Sequence, residues 1–251
     1  MSHIDRFIET AIQRIYFPGK HVLEIGCGNG EMLRKIAENC HPAFITGIDL
    51  YLDSWWSATA SAGPNWEVKQ GDASQMEFPD NSFDAVISVA TFEHITRLRE
   101  TLAEIKRVLK PGGVFLTEFA PIWTSIIGHH YNFWVYEEVD LIPPWGHLWM
   151  TEDEMRIYLA GKVGSGKAEE ACQFIYHGEM INRVGRDEFY DLLKQSGMWI
   201  RELVEYPSFS RYHYYGNDAS ELTEEILRKL TGKYRLEELA VDGFKIMLQK
   251  Y

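Results

Sequence analysis

Glycines stand at every second position from 26 to 30, within the stretch VLEIGCGNG over residues 22–30. A glycine turn lets the backbone take positive φ and lets a ligand lie against bare peptide. Val22, Leu23 and Ile25 make a short apolar run before it, the mark of a buried strand. Met32, Leu33, Ile36 and Ala37 follow at helical spacing, so the free N–H groups of a helix start point at the turn. Strand, turn and helix together predict a site for a nucleotide-like ligand. A dinucleotide loop needs a third glycine for close helix packing, with the helix N-terminus facing a pyrophosphate. Glu31 occupies that third position, and Glu24 precedes the loop. A carboxylate there repels pyrophosphate but suits an ammonium group. Asp49 stands near the end of a second apolar run, 23 residues after Gly26. An acid about 20 positions past such a loop accepts from both hydroxyls of a ribose. The alternative for Asp49 is a turn cap.

The elements that must position these groups alternate along the chain. Further strands are predicted at residues 43–50, 66–70, 83–89, 114–119, 199–206 and 243–251. Amphipathic helices are predicted at residues 4–16, 97–109 and 186–197, with others over residues 51–62 and near 220–230. The helix at 4–16 packs on the core or covers the ligand. Lys110, Pro111, Gly112 and Gly113 end the helix before them. Strands alternating with helices predict an α/β fold with a mostly parallel sheet.

The run Glu24-Ile25-Gly26-Cys27-Gly28-Asn29-Gly30 resembles the first motif of class I S-adenosylmethionine-dependent methyltransferases. Gly71-Asp72-Ala73, the FDAVISV strand at 83–89, the pair Glu93-His94 and the string LKPGGVF at 109–115 resemble later motifs of that family, in the family's order. The resemblance covers residues 22–119 and thins beyond 120. It implies a doubly wound, mostly parallel seven-stranded sheet of the Rossmann-like methyltransferase type. It implies S-adenosyl-L-methionine as cofactor and S-adenosyl-L-homocysteine as product. Glu24, Gly26, Cys27, Gly28 and Gly30 would cradle the amino-acid end. Asp49 and Leu50 would hold the ribose, and Asp72 and Ala73 the adenine, although Asp72 equally suits an Asx turn. Ser88 and Val89 would form the floor, and His94 would touch cofactor or substrate.

Matching the family's strand count makes residues 1–251 a single methyltransferase domain with cap insertions at 120–184 and 207–242. The first insertion carries WTSIIGHHYNFW at 123–134 and IPPWGHLWM at 142–150. Aromatic walls with a few polar groups suit a small-molecule pocket. Methyl transfer to a hydroxyl needs in-line attack and a destination for the proton. Histidine is the common general base, and His130 and His147 are the candidates. The other reading has these histidines and tryptophans covering a sheet end. A metal grouping of His129 or His130 with His147 and Glu138 matches no tight ligand spacing, so no metal is expected. GKVGSGKA at 161–168 mimics a phosphate loop but carries Ala168 where Ser or Thr must reach magnesium, and reads as a flexible loop. Arg201, Arg211, Tyr212, His213, Tyr214 and Tyr215 form a basic-aromatic patch that is solvated surface or an anchor for an acidic or sugar substrate.

A formal net charge of −12 argues against nucleic acid as partner. No run of 18 apolar residues predicts a membrane span, and the amphipathic N-terminus does not read as a signal peptide. Three cysteines without metal spacing suit a reducing cytoplasm. The expected reaction is methyl transfer to a small-molecule acceptor, with oxygen favoured. Nitrogen or carbon acceptors, a protein substrate, a non-catalytic binding module and a nicotinamide-dependent oxidoreductase are the alternatives.

Overall fold

The computed structural model describes residues 2–51, 61–131, 142–208 and 223–251. One sheet contains β1 (His21–Ile25), β2 (Phe44–Asp49), β3 (Ser61–Ala62), β4 (Trp66–Gln70), β5 (Phe83–Val89), β6 (Leu109–Phe119), β7 (Trp199–Pro207) and β8 (Val241–Gln249). Their order in space is β3-β4-β2-β1-β5-β6-β8-β7. β4, β2, β1, β5 and β6 run parallel, β8 lies antiparallel between β6 and β7, and β3 is antiparallel to β4. The seven strands of the sequence reading are all present. The two-residue β3 adds an eighth at the edge, where the end of a helix over 51–62 was expected. Residues 52–60 of that stretch lie outside the described residues.

The helices are α1 (His3–Ile12), α2 (Glu31–Cys40), α3 (Leu98–Val108), α4 (Gly146–Trp149), α5 (Glu152–Val163), α6 (Ser165–Cys172), α7 (Arg186–Gln195), α8 (Glu224–Thr231) and α9 (Leu236–Leu239). Successive strand residues point to opposite faces, and β1 shows the consequence. Val22 packs with Phe7, Ala11, Met32 and Ile36 on the face covered by α1 and α2. Leu23 and Ile25 pack with Leu102, Ile105, Phe189 and Leu193 on the face covered by α3 and α7. Both faces are thus buried, as a parallel sheet requires. The helix expected over 4–16 stops at Ile12. Beyond it Arg14 makes a two-pronged pair with Glu202 on β7, at 2.6 and 2.9 Å, which fastens this end of α1 to the sheet.

α3 ends before Lys110 as expected, but the strand expected from 114 starts earlier and the loop expected at 161–168 is helical. Lys110 to Gly113 lie inside β6, which starts at Leu109. Gly112 takes φ +79° there, and the Lys110 ammonium sits 2.7 Å from Asp84 on β5. GKVGSGKA is helical on both sides of Gly164, whose φ of +85° makes the corner between α5 and α6. Those helices pack on each other through Met155, Leu159, Ala168 and Ala171. A further cluster joins Ile126, Ile127, Trp145 and Leu148 to Leu230 and Leu239, so the segments flanking α7 and β7 share a core. Among the described residues no helix is long and apolar enough to cross a membrane.

Candidate active site

A cavity of about 420 Å³ opens at the carboxyl ends of β1, β2, β4 and β5. This is where the strand order reverses, β2 lying on one side of β1 and β5 on the other, the place where open α/β sheets bind ligands. Gly26 and Gly28 present backbone to it. The Gly26 and Cys27 amides donate to the Ile48 carbonyl at 2.8 and 3.1 Å, which holds the turn against β2. Gly26 has φ +71°, and a Cβ there would stand 2.2 Å from Thr91 Oγ1.

Asp49 ends β2 on the cavity wall. Its Oδ2 accepts from the Gly28 amide at 2.9 Å and its Oδ1 from the Tyr51 amide at 3.0 Å. Each carboxylate oxygen accepts more than one hydrogen bond. The carboxylate is therefore fixed in orientation and still able to receive a diol. Leu50, Asp72 and Ala73 continue the wall. Asp72 makes the Asx turn, its Oδ1 accepting from the Ser74 amide at 2.8 Å and hydroxyl at 2.7 Å. That turn coexists with a place on the wall.

Other residues read from the sequence stand behind the wall. Alternation along β1 sends Glu24 toward α2, where the Leu33 amide and Arg34 favour its charged form. Burial, then the neighbouring charge of Asp49, push its pKa well above the usual carboxylate range. Its Oε2 has no hydrogen-bond partner among the described residues. Cys27 is a buried packing thiol, its pKa pushed up by burial and then by Glu24 and Asp49. Gly30 (φ +72°) starts α2, and a Cβ there would meet Val68 at 2.9 Å. Ser88 is fully buried and donates to the Ile25 carbonyl at 3.0 Å, while Val89 packs toward the α2 face. The wall after β5 is instead Ala90 and Thr91. Glu179 and Met180 also line the cavity. They come from a distant loop that carries no sequence motif.

The histidines separate into two groups. His94 lines the cavity, with Nδ1 2.6 Å from the Met180 carbonyl. His130 is buried beside it, their ring centroids 5.1 Å apart. His147 is not on the wall. It is 4% exposed, its Nε2 is 2.8 Å from the Trp123 carbonyl, and its ring meets Trp123 and His129 edge-on. Burial lowers its pKa to about 4, against a weaker opposite pull from that carbonyl. His147 therefore serves as a neutral packing group rather than the base expected of it. Glu138 and residues 211–215 lie outside the described residues. Arg201 is exposed on β7.

Folding around a neutral His147 has a pH signature. The unfolded chain protonates histidine near 6.5, and the folded chain only near 4. The stabilisation is fully present above about pH 6.5 and is lost as pH falls toward 4, a contribution of about 3 kcal/mol. His147→Gln is expected to make the thermal midpoint less sensitive to pH between 4 and 6.5. Equal sensitivity in both proteins would contradict the burial argument.

Comparisons with known proteins agree with this geometry. Residues 23–117 match the family described as a methyltransferase domain. A fatty-acid O-methyltransferase from Mycolicibacterium smegmatis is 41% identical over 99 residues, 39% of this chain and 36% of that protein. A sterol 24-C-methyltransferase from Neurospora crassa is 42% identical over 99 residues, 38% of this chain and 26% of that protein. The matched stretch thus spans about a third or less of these curated relatives. An S-adenosylmethionine-dependent methyltransferase from Mesorhizobium loti shares the fold, with TM-score 0.58, 14% identity, and coverage of 98% of this chain and 100% of that one. Residues 23–117 thus match a methyltransferase domain, within a fold shared with an S-adenosylmethionine-dependent methyltransferase.

The residues present fit that cofactor. A side chain at Gly26 would collide with Thr91. Asp49 offers paired acceptors for a diol. Glu24, whose Oε2 has no hydrogen-bond partner among the described residues, stands behind the loop, where a nearby ammonium group would favour its charged form.

Proposed function

We propose that this protein transfers the methyl group of S-adenosyl-L-methionine to an apolar small molecule at an oxygen atom. The observation that carries this reading is Asp49, held by the Gly28 and Tyr51 amides at the mouth of the glycine turn. When bound, S-adenosyl-L-methionine supplies an electrophilic methyl on a sulfonium and leaves as S-adenosyl-L-homocysteine. Gly26 and Gly28 admit its amino-acid end to the backbone. Asp49 and Leu50 take the ribose, and Asp72 and Ala73 flank the adenine. His94 and His130 mark the acceptor end of the cavity. His130, beside His94, is the base assigned to that end in this reading, and His147 is not.

The segments 120–184 and 207–242 form the substrate cap of a single domain. Their shared cluster around Trp145, Leu148 and Leu230 supports that reading. An apolar acceptor is supported by the aromatic character of the first segment and by the fatty-acid and sterol methyltransferases among the relatives. Those two differ in the atom methylated, so they leave the choice of oxygen to the site. Histidines at the acceptor end favour a group that must lose a proton. Positioning for in-line attack supplies much of the acceleration, of order 7–11 kcal/mol in favourable cases. The three free cysteines are buried, which fits a reducing cytoplasm.

The test is radiolabelled methyl transfer to a panel of long-chain carboxylic acids, hydroxylated lipids and sterols, with amines as controls. Label in a hydrolysable ester or an ether supports an oxygen acceptor. Label only in amines or at carbon refutes it.

A further inference from the structure

Three metal-binding groups converge beside the cavity. One ligand atom each of Glu93, His94 and His130 lies within 4.8 Å of the other two. Ligand atoms about 2.1 Å from one ion lie roughly 3–4 Å from each other. Closing the trio around an ion thus takes movements on the order of 1 Å. The geometry points to a divalent transition-metal site built from Glu93, His94 and His130.

The hydrogen bonds around the two rings fit this role. His94 Nδ1 faces the Met180 carbonyl at 2.6 Å, and His130 Nδ1 faces the Gly128 carbonyl at 2.9 Å. A carbonyl oxygen only accepts, so each neutral ring carries its proton on Nδ1. Nε2 is then the nitrogen with the lone pair in both. Anchoring one ring N–H on a carbonyl while the other nitrogen ligates is the usual support of a metal-bound histidine.

The backbone positions all three residues. Asn182 grips the Glu93-His94 turn, its Nδ2 donating to the Phe92 and Ile95 carbonyls at 2.6 and 3.1 Å. Its amide donates to the Glu93 carbonyl at 3.1 Å. His130 sits at φ +57°, a conformation that side chains other than glycine adopt at some cost. Its amide donates to the Ile127 carbonyl at 3.1 Å. Glu93 is 3% exposed and His130 4% exposed, and low local dielectric strengthens the attraction of a carboxylate for a cation.

Two imidazoles and one carboxylate suit Zn²⁺, Mn²⁺ or Fe²⁺ better than Mg²⁺ or Ca²⁺, which take all-oxygen shells. Three protein ligands leave coordination positions open. His94 also lines the cavity, so an acceptor oxygen there is the fitting further ligand. Coordination makes a bound hydroxyl more acidic, which removes the need for a dedicated base. This last use rests on the methyl-transfer reading. The site itself does not.

The test uses the whole 251-residue chain, stripped of metal and free of methyl donor. Zinc chloride is titrated calorimetrically, and manganese binding is followed by loss of the free-ion paramagnetic resonance signal. The wild-type protein is expected to bind one equivalent. Glu93→Gln and His130→Asn are each expected to weaken it at least ~10-fold. Asparagine tolerates the backbone at 130, and circular dichroism checks that both variants fold. X-ray absorption at the zinc edge of the wild-type protein is expected to show two imidazoles, whatever the variants do. No stoichiometric binding, unchanged affinity in both variants, or a shell without two imidazoles overturns the site. Titrating S-adenosylhomocysteine into metal-free protein is a separate measurement, so failure of either reading is recognised without the other.

Discussion

Asp49→Ala is expected to abolish measurable binding of S-adenosylhomocysteine and leave the protein folded. The carboxylate makes two contributions. It is the acceptor available to a ribose diol on the cavity wall, and it ties the glycine turn to β2 through Gly28. Hydrogen bonds to a charged group are worth about 1.5–3 kcal/mol each. Losing two weakens binding roughly 100-fold to 10,000-fold. The fold should survive, because β2 stays in register with β1 and β4 through its backbone. Asp49→Asn grades the effect. It keeps one oxygen for the Gly28 amide but offers a diol less, so its loss should be intermediate. Unchanged affinity in the alanine variant, measured by calorimetry, would remove the ribose assignment.

Gly26→Ala is the second large effect. The backbone there has φ +71°, which costs an L-residue about 1–2 kcal/mol before any contact is counted. The new Cβ would lie 2.2 Å from Thr91 Oγ1, 2.3 Å from its Cγ2 and 2.8 Å from its Cβ. Thr91 cannot simply swing aside, because its hydroxyl donates to the Val89 carbonyl at 2.9 Å. The turn must move off β5, and the bare backbone at the cavity moves with it. Donor affinity should fall at least ~10-fold and the thermal midpoint should drop by several degrees, roughly what 1–2 kcal/mol produces in a domain of this size. Adding Thr91→Gly should recover part of the lost affinity. A single variant that binds as well as wild type would show that the turn is not held as described.

Local signals carried far in this chain. The glycines, Asp49 and Asp72 each sit at the end of a short apolar run, where strand, turn and helix succeed one another within a few residues. Such features are legible because periodicity and turn chemistry are local. The cavity wall contributed by Glu179 and Met180 was not, since a loop some 85 residues beyond His94 reaches it through tertiary contact alone. Ser88 and Val89 were placed on the floor by resemblance, but β5 runs through Val89, so its last side chains are shared between the two faces of the sheet and the wall begins at Ala90. His147 was misread for a different reason. Its residue type suggests a base, whereas its burial between Trp123 and His129 makes it neutral, and burial is a property of the assembled core. The stretch at 161–168 reads as a flexible loop from its glycines, yet it is helical on both sides of Gly164, where a phosphate loop needs a preceding strand.

In the proposed reading the cavity at Gly26, Asp49 and Asp72 holds the methyl donor, with its reactive end toward His94 and His130. A crystal structure with S-adenosylhomocysteine tests it most directly. The amino-acid tail is expected on the Gly26–Gly28 backbone, both ribose hydroxyls on Asp49, the adenine beside Asp72 and Ala73, and the sulfur facing His94. Density for the ligand in another cavity, or a ribose turned away from Asp49, would contradict it.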